Sequence, residues 1–179
     1  MPRPETLWPL FSEVTTLPGV GDKTAQALGH MDIARPRDLL FTLPHGVIDR
    51  VPKRSVMEVT PPGVATVLVK VVSHDPPQRK GRPYRVVVED EAPRFTLVYF
   101  RAQGDWLKKL LPVGATRLVS GKIELFDGIP QMPHPDYVIE PEAAEHMPLH
   151  EPVYPLTAGV TAKTLQKAAA GALDLAPDL

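Results

Sequence analysis

The sequence predicts a mainly β protein with flanking helices. Three observations lead to this fold class. Between residues 64 and 139, runs rich in β-branched residues alternate with short turns of glycine, proline and aspartate. On both sides of that region, apolar residues recur at helical spacing instead. Hydrophobic residues make up 43% of the chain, which is enough to build a core.

The first 54 residues predict a small helical unit. A short apolar segment, TLWPLF, comes first. Asp22 is predicted to cap a helix whose apolar positions keep helical spacing. A second helix is predicted to begin at Pro36, whose fixed φ suits a first turn, with Asp38 favouring the helix dipole. It should end at Leu43, before Pro44.

From about residue 64 the period changes to that of strands. Residues 65–72 predict a long strand, and the proline- and glycine-bearing segment 76–83 predicts a turn or flexible tip. Residues 84–89 and 94–100 predict two more strands, which the sequence DEAP separates as a turn.

The second half of this region contains a helix and two further strands. Residues 104–111 have helical periodicity that stops at Pro112, and residues 116–126 predict a fourth strand. An Asp-Gly hairpin turn leads into a fifth, irregular strand that reaches residue 139. Three strands, a helix and two strands is the order of an OB-fold barrel, whereas other five-stranded barrels lack that helix.

The chain therefore divides into three predicted parts. Residues 1–54 form the helical unit, and residues 55–140 form the OB-fold barrel. Residues 141–179 comprise a linker rich in proline and glutamate and a last helix, which Thr161 is predicted to cap.

One stretch, TTLPGVGDKT, has the composition of a phosphate-binding site. A nucleotide-binding P-loop needs lysine directly after its last glycine, but Asp22 separates Gly21 from Lys23. The spacing instead resembles a helix-hairpin-helix motif. There Gly19 and Gly21 would bring backbone N–H groups against a DNA phosphate, and Lys23 would add a positive charge. The alternative is a plain glycine turn with Val20 in the core.

A second candidate DNA contact lies between the third strand and the following helix. OB-folds bind single strands by stacking bases on exposed aromatic rings beside a basic groove. Tyr99, Phe100 and Trp106 lie within eight positions of each other. Strand alternation should bury either Tyr99 or Phe100, and Trp106 is either exposed or part of the core. The candidate phosphate-binding cations are Arg101, Lys108, Lys109 and a cluster of Arg79, Lys80, Arg82 and Arg85, although such clusters are often only solvated loops.

Other function classes find little support in the sequence. The net charge is −1, so no global basic field indicates a nucleic-acid partner, although acidic residues outnumber basic ones only in residues 138–179 and the preceding chain is mildly basic. No cysteine is present, and Pro148 keeps His146 and His150 from sharing a helix face. No metal site, cofactor or catalytic constellation is predicted. No apolar run approaches the roughly 20 residues of a membrane span, so we expect a soluble, cytoplasmic protein.

Four segments resemble, in order, the N-terminal part of the RecG family of ATP-dependent DNA helicases: TTLPGVGDKTAQAL, RPRDLLFTLPHGVIDR, QMPHPDYVI and PVYPLTAGVTAKTLQKA. The resemblance covers nearly the whole chain. It implies an OB-fold wedge that splits branched DNA, including forks and Holliday junctions, in recombination and repair. It also implies that ATP and Mg²⁺ act through motor domains downstream, so that this chain alone should have no helicase activity.

The resemblance assigns roles to two aromatic residues. Phe100 matches the wedge aromatic that stacks on an exposed base at the junction, and Trp106 before Leu107 fits the place of a second family aromatic. This chain departs from the family pattern in having Arg101 where asparagine is common. The family resemblance further implies binding of single-stranded DNA and of the proline-bearing tail of single-stranded DNA-binding protein. We expect the chain to be a monomer. The alternative function is an OB-fold module that binds a peptide.

Overall fold

A computed structural model describes residues 4–91, 94–101 and 103–177. The predicted turn at 90–93 lies partly outside the described residues. The described chain forms two compact units. Residues up to Ile48 and from Pro152 onward form the first, which we call the terminal unit, and Asp49–Glu151 form the second, the barrel unit. The sequence-based division separated the two terminal segments, whereas they belong to one unit in the structure.

The helices and strands follow in chain order. Short 3-10 helices cover Glu5–Phe11, Val14–Thr16, Val56–Glu58 and Pro141–His146. The α-helices and β-strands are α1 (Asp22–Gly29), α2 (Pro36–Leu40), β1 (Gly46–Asp49), β2 (Gly63–Asp75), β3 (Tyr84–Glu89), β4 (Arg94–Tyr99), α3 (Gly104–Leu110), β5 (Thr116–Phe126), β6 (Ile129–Pro133), β7 (Tyr137–Ile139), β8 (His150–Val153) and α4 (Ala162–Asp174).

The terminal unit is built on a small apolar core. Leu28 of α1, Leu39 of α2 and Leu165 of α4 are buried in it together. Thr161 caps α4 as predicted, because its hydroxyl accepts a hydrogen bond from the Thr164 N–H at 3.2 Å. The predicted cap of α1 is wrong by one position: Gly21 is the N-cap, in an extended conformation, and Asp22 is the first helical residue.

The second helix, α2, is shorter than predicted. It ends at Leu40 rather than Leu43. Pro44 disfavours a helical conformation for the residue before it, so the last turn cannot extend to that point. The start is as expected, with Pro36 in the first turn and the Asp38 carboxylate accepting from the backbone N–H of Arg35 at 2.9 Å.

The barrel unit contains a closed five-stranded barrel. Strand β2 pairs antiparallel with both β3 and β5, and β3 pairs antiparallel with β4. Strand β6 closes the ring by pairing parallel to β4 and antiparallel to β5, and β7 adds to β5. Helix α3 connects the third and fourth barrel strands. The predicted OB-fold order of strands and helix is thus confirmed.

The barrel core consists of inward-facing residues from all five strands. Val67, Val86 and Leu97 are fully buried in it, and α3 contributes Leu107. Glycine at position 121 avoids crowding, because a Cβ there would lie 3.0 Å from the Met132 side chain and from the backbone of Pro135.

The predicted fifth strand is two strands. His134 has a positive φ of 43° between β6 and β7, and Pro135 lacks the N–H that a ladder would need. The chain therefore breaks its extended run at this point. Only the first piece, β6, pairs with β4; the second, β7, pairs with β5 alone.

The predicted linker also contains regular structure. Pro141–His146 form a 3-10 helix, and β8 pairs with β1 in a two-stranded sheet. The sequence did not predict β1 or β8, because strands of four residues are too short to show a period. None of the helices in the described part of the chain is long and apolar enough to cross a membrane.

Candidate nucleic-acid interface

The barrel unit has a cleft of about 820 Å³ beside Phe100, which we call the Phe100 cleft. The described residues lining it include four cations and no carboxylate. Five predicted site residues meet in this cleft, although the sequence separates them by some twenty positions: Arg79, Lys80, Arg82, Phe100 and Arg101.

Strand register explains why these residues meet. Tyr84 at the start of β3 lies opposite Tyr99 at the end of β4. The segment 76–83 that enters β3 therefore lies beside Phe100, the residue that leaves β4. Within that segment, the Arg82 N–H donates to the carbonyl of Arg79 at 3.2 Å, and Gly81 has a φ of 92°. The resulting turn holds the cations close together.

Phe100 and Tyr99 point to opposite sides, as strand alternation requires. Phe100 is 53% exposed, whereas Tyr99 is 5% exposed and belongs to the barrel core. Tyr99 was predicted among the DNA contacts, but a buried ring cannot stack on a base, so Tyr99 leaves that set. Its hydroxyl has no hydrogen-bond partner among the described residues, and burial raises the pKa of that hydroxyl well above its ordinary value.

The floor of the cleft includes the buried ring of Tyr84. Its hydroxyl lies 3.0 Å from Nδ1 of His74, whose Nε2 is 2.7 Å from the carbonyl oxygen of Leu111. Burial raises the pKa of Tyr84, and the nearby carboxylates Asp105 and Asp75 raise it further. Tyr84 therefore stays neutral at the base of the cleft.

His134 supports Phe100 and was missed by the sequence analysis. The Phe100 backbone N–H donates to Nε2 of His134 at 3.1 Å, and the two rings lie 5.5 Å apart at a tilt of 32°. The backbone N–H of His134 donates in turn to the carbonyl of Val98 at 2.8 Å. These contacts anchor the segment that presents Phe100. The sequence signal for His134 was its place in the family-like segment QMPHPDYVI, in which no single residue was given a role.

The remaining predicted residues of this unit lie outside the Phe100 cleft. Trp106 is 52% exposed at the start of α3, and its ring meets the edge of Tyr99 at a centroid distance of 6.4 Å. Lys108 and Lys109 are exposed on the same helix. Arg85 is half-buried on β3 and lines a separate cavity.

The helix-hairpin-helix candidate lies in the terminal unit. Gly19 has a φ of 81°, which only glycine adopts readily, and Val20 is buried in the core as the plain-turn alternative also requires. Gly21 and Lys23 are exposed at the start of α1. The turn geometry agrees with both interpretations, so the DNA contact of Gly19, Gly21 and Lys23 stays a prediction.

Comparison with known proteins identifies the family. The family description "RecG wedge domain" matches residues 13–174. This chain belongs to the RecG wedge domain family. The ATP-dependent DNA helicase RecG of Escherichia coli O127:H6 is 29% identical over 167 residues, which is 90% of this chain and 24% of that protein. The RecG helicase of Pasteurella multocida is 28% identical over 157 residues, covering 86% of this chain and 22% of its own length.

A solved structure of RecG bound to a three-way DNA junction has the same fold. It superposes with a TM-score of 0.67 and 23% identity over 88% of this chain and 22% of the other. At this identity the likeness shows the fold. The chain spans about a quarter of the length of its RecG relatives.

Proposed function

We propose that this RecG wedge domain binds branched DNA where paired strands come apart, and that it acts as a passive wedge in a RecG-like helicase. The observation that carries the proposal is the half-exposed ring of Phe100 in a cleft with four cationic side chains. A ring and cations together suit single-stranded DNA, since bases stack on the ring and phosphates pair with the cations. Membership of the family supports the same conclusion.

The wedge itself needs no bond chemistry. When a motor pulls duplex across the barrel, the rigid edge blocks the paired path and each strand leaves separately. Phe100 caps the last base pair and offsets part of the lost stacking, by about 1–3 kcal/mol per base. Arg79, Lys80, Arg82 and Arg101 hold the separated backbone. ATP and Mg²⁺ would serve a motor outside this chain.

The proposal includes the wider setting that the family resemblance implies. Fork reversal and branch migration in recombination and repair would be the processes served, in the bacterial cytoplasm. Trp106, Lys108 and Lys109 on α3 would extend the contact beyond the Phe100 cleft. Single-stranded DNA-binding protein stays a predicted partner. The monomeric state also stays a prediction.

Fork binding over a salt series tests the proposal. If all four cations of the Phe100 cleft meet phosphates, the logarithm of the affinity should fall with the logarithm of salt concentration at a slope of about −3. Phe100→Ala should weaken fork binding about 5- to 100-fold while the melting temperature stays near that of the parent chain. Phe41→Ala is the matched control, because Phe41 is 83% exposed in the terminal unit.

Three outcomes would contradict the proposal. One is equal affinity for forked and linear duplex DNA. Another is a flat salt response, which would favour the alternative of a peptide-binding OB-fold module. The third is an equal effect of Phe100→Ala and Phe41→Ala.

A further inference from the structure

A second groove lies on the barrel unit, apart from the Phe100 cleft. It has a volume of about 260 Å³, and we call it the hairpin groove. Its lining residues come from β3, β4 and the β5–β6 hairpin: Arg85, Thr96, Phe126, Asp127, Ile129, Pro130 and Gln131. Only Arg85 among these was singled out from the sequence.

The rim of the hairpin groove exposes apolar side chains. Phe126 and Ile129 face each other as a ladder pair at the hairpin tip and are 56% and 60% exposed. Asp127 and Gly128 between them have φ values of 50° and 79°, so the tight turn fixes both side chains on a rigid hairpin. A rigid exposed ring is the type of surface on which a base stacks at little entropic cost.

The floor of the hairpin groove is polar and carries a positive charge. Thr96 of β4 is the ladder partner of Gln131 of β6, which places two hydrogen-bonding side chains next to each other. Arg85 lies on the neighbouring strand, where inward-facing Val86 and Val88 alternate with outward-facing residues. Asp127 is the one acid among the described lining residues, and its carboxylate is able to accept from an exocyclic base amine.

A small cavity adjoins both the Phe100 cleft and the hairpin groove. Arg82 lines the Phe100 cleft and also a small cavity of about 100 Å³, and Arg85 lines both that cavity and the hairpin groove. Asp75 lines the same small cavity, so a carboxylate interrupts the basic path and the Phe100 cleft and the hairpin groove each keep cations of their own. Each of the two clefts offers one exposed aromatic ring beside one or more arginines. This combination favours a nucleic-acid strand, which has planar bases and charged phosphates, over a peptide.

We propose that the hairpin groove is a second single-strand site, in which Phe126 stacks a base and Arg85 binds an adjacent phosphate. The inference rests on the proposed function and deepens it. The strand held at Phe126 is the one that does not stack on Phe100, so each strand of a split duplex has its own ring.

The test uses the 179-residue chain and forks carrying 2-aminopurine in one arm at a time, because stacking quenches the fluorescence of this base analogue. Phe126→Ala should restore fluorescence in one arm and Phe100→Ala in the other. Leu125→Ala is the matched control, since Leu125 is 57% exposed on the same hairpin but does not line the groove. A plain single-stranded oligonucleotide should also bind Phe126→Ala at least about 5-fold more weakly than Leu125→Ala.

Charge is tested in parallel. Arg85→Gln should reduce the salt slope of oligonucleotide binding by about 0.7, the value for one single-strand phosphate. Arg94→Gln should leave the slope unchanged, because Arg94 is paired with Glu89 at 3.3 Å and lines neither cleft.

The outcomes separate this inference from the proposed function. If Phe126→Ala and Leu125→Ala bind the oligonucleotide with equal affinity, the second site is overturned, whatever the fluorescence of the forks shows. So does restoration of fluorescence in the same arm by both phenylalanine variants. Loss of fork preference in the parent chain, with an intact difference between Phe126→Ala and Leu125→Ala on the oligonucleotide, overturns the wedge but supports the second site.

Discussion

Arg101 holds a left-handed backbone conformation, with a φ of 61°, at the edge of the Phe100 cleft. For residues other than glycine, asparagine and aspartate, this conformation costs roughly 1–2 kcal/mol. The family resemblance places asparagine at this position, the residue that tolerates such a φ best. The arginine therefore adds a cation to the cleft while straining the backbone.

We expect Arg101→Asn to raise the free energy of unfolding by about 1 kcal/mol, because it relieves the backbone strain. The same change should reduce the salt slope of fork binding by about 0.7, the value for one single-strand phosphate contact. Arg101→Gln is the control: it removes the charge without relieving the strain. Equal stability of the two variants in urea unfolding would show that the backbone at this position carries no strain.

His134 is the second residue whose chemistry bears on the cleft. Its Nε2 accepts a hydrogen bond from the Phe100 N–H at 3.1 Å. A residue that replaces His134 must therefore place an acceptor atom at about the same distance from the backbone. We expect His134→Ala to weaken fork binding about 3- to 10-fold, the equivalent of one hydrogen bond. His134→Gln should recover most of the affinity, because its side-chain oxygen reaches the place of Nε2.

His134→Asn separates the hydrogen bond from the backbone at this position. Asparagine tolerates the positive φ of 43°, but its side chain ends at the position of Nδ1 and cannot reach the Phe100 N–H. In titrations with forked DNA, His134→Asn should therefore bind as weakly as His134→Ala. If His134→Asn binds forks as tightly as the parent chain and His134→Gln binds them weakly, His134 acts through its backbone conformation and not through its hydrogen bond.

At the scale of elements, α2 depends on one carboxylate. Asp38 accepts hydrogen bonds from the Ala34 and Arg35 N–H groups at 3.0 and 2.9 Å. Burial acts to raise the pKa of Asp38, but these bonds and the Arg37 guanidinium outweigh it, so the net pKa is below 3.8. A depressed carboxyl pKa contributes stability above the unfolded-state value that is lost as the pH falls through the folded-state value.

Asp38→Asn should therefore destabilise the chain by about 0.5–2 kcal/mol at pH 7, as loss of a helix cap does. The difference from the parent chain should shrink as the pH falls below about 4, where the unfolded-state carboxyl begins to protonate. Urea unfolding at pH 7, 5 and 3 measures it. A destabilisation that is constant across this range would mean that packing, and not the charge, is responsible.

Elements with a strong period could be predicted from the sequence, and elements set by distant pairing could not. The barrel strands and α3 show clear alternation or helical spacing, and the strand order followed from them. In contrast, β1 and β8 depend on pairing between segments about a hundred residues apart, and the break at His134 depends on one positive φ. Local sequence carries little information on either feature.

The same distinction applies to the candidate site. Exposure of Phe100 or Tyr99 was an open choice, because alternation fixes the period of a strand but not its phase. The meeting of segment 76–83 with Phe100 required the register between Tyr84 and Tyr99. Phe126 was missed because an Asp-Gly hairpin indicates a turn but not which flanking side chains remain uncovered.

At the scale of the whole barrel unit, one buried arginine joins the beginning and the end of the segment Asp49–Glu151. Arg50 is 2% exposed, and its Nε donates to Glu151 at 2.6 Å across 101 positions. The other guanidinium nitrogens donate to Ser120 at 2.9 Å and Asp136 at 3.0 Å. The guanidinium also lies 4.9 Å from the ring centroid of Tyr137. These contacts fix the two ends of the barrel unit to each other.

We expect Arg50→Met to lower the free energy of unfolding by about 3–5 kcal/mol, since Glu151 would keep a buried charge without its arginine. The double variant Arg50→Met with Glu151→Met should recover part of this loss, because it removes the buried carboxylate and leaves only that of Asp136, which is half-exposed. Arg94→Met, which breaks the exposed pair with Glu89, should cost at most about 1 kcal/mol. Urea unfolding of the four chains would refute the assignment if the single and double variants at Arg50 lost equal stability. In that case the arginine would stabilise the barrel through Ser120 and Asp136, and not by joining its two ends.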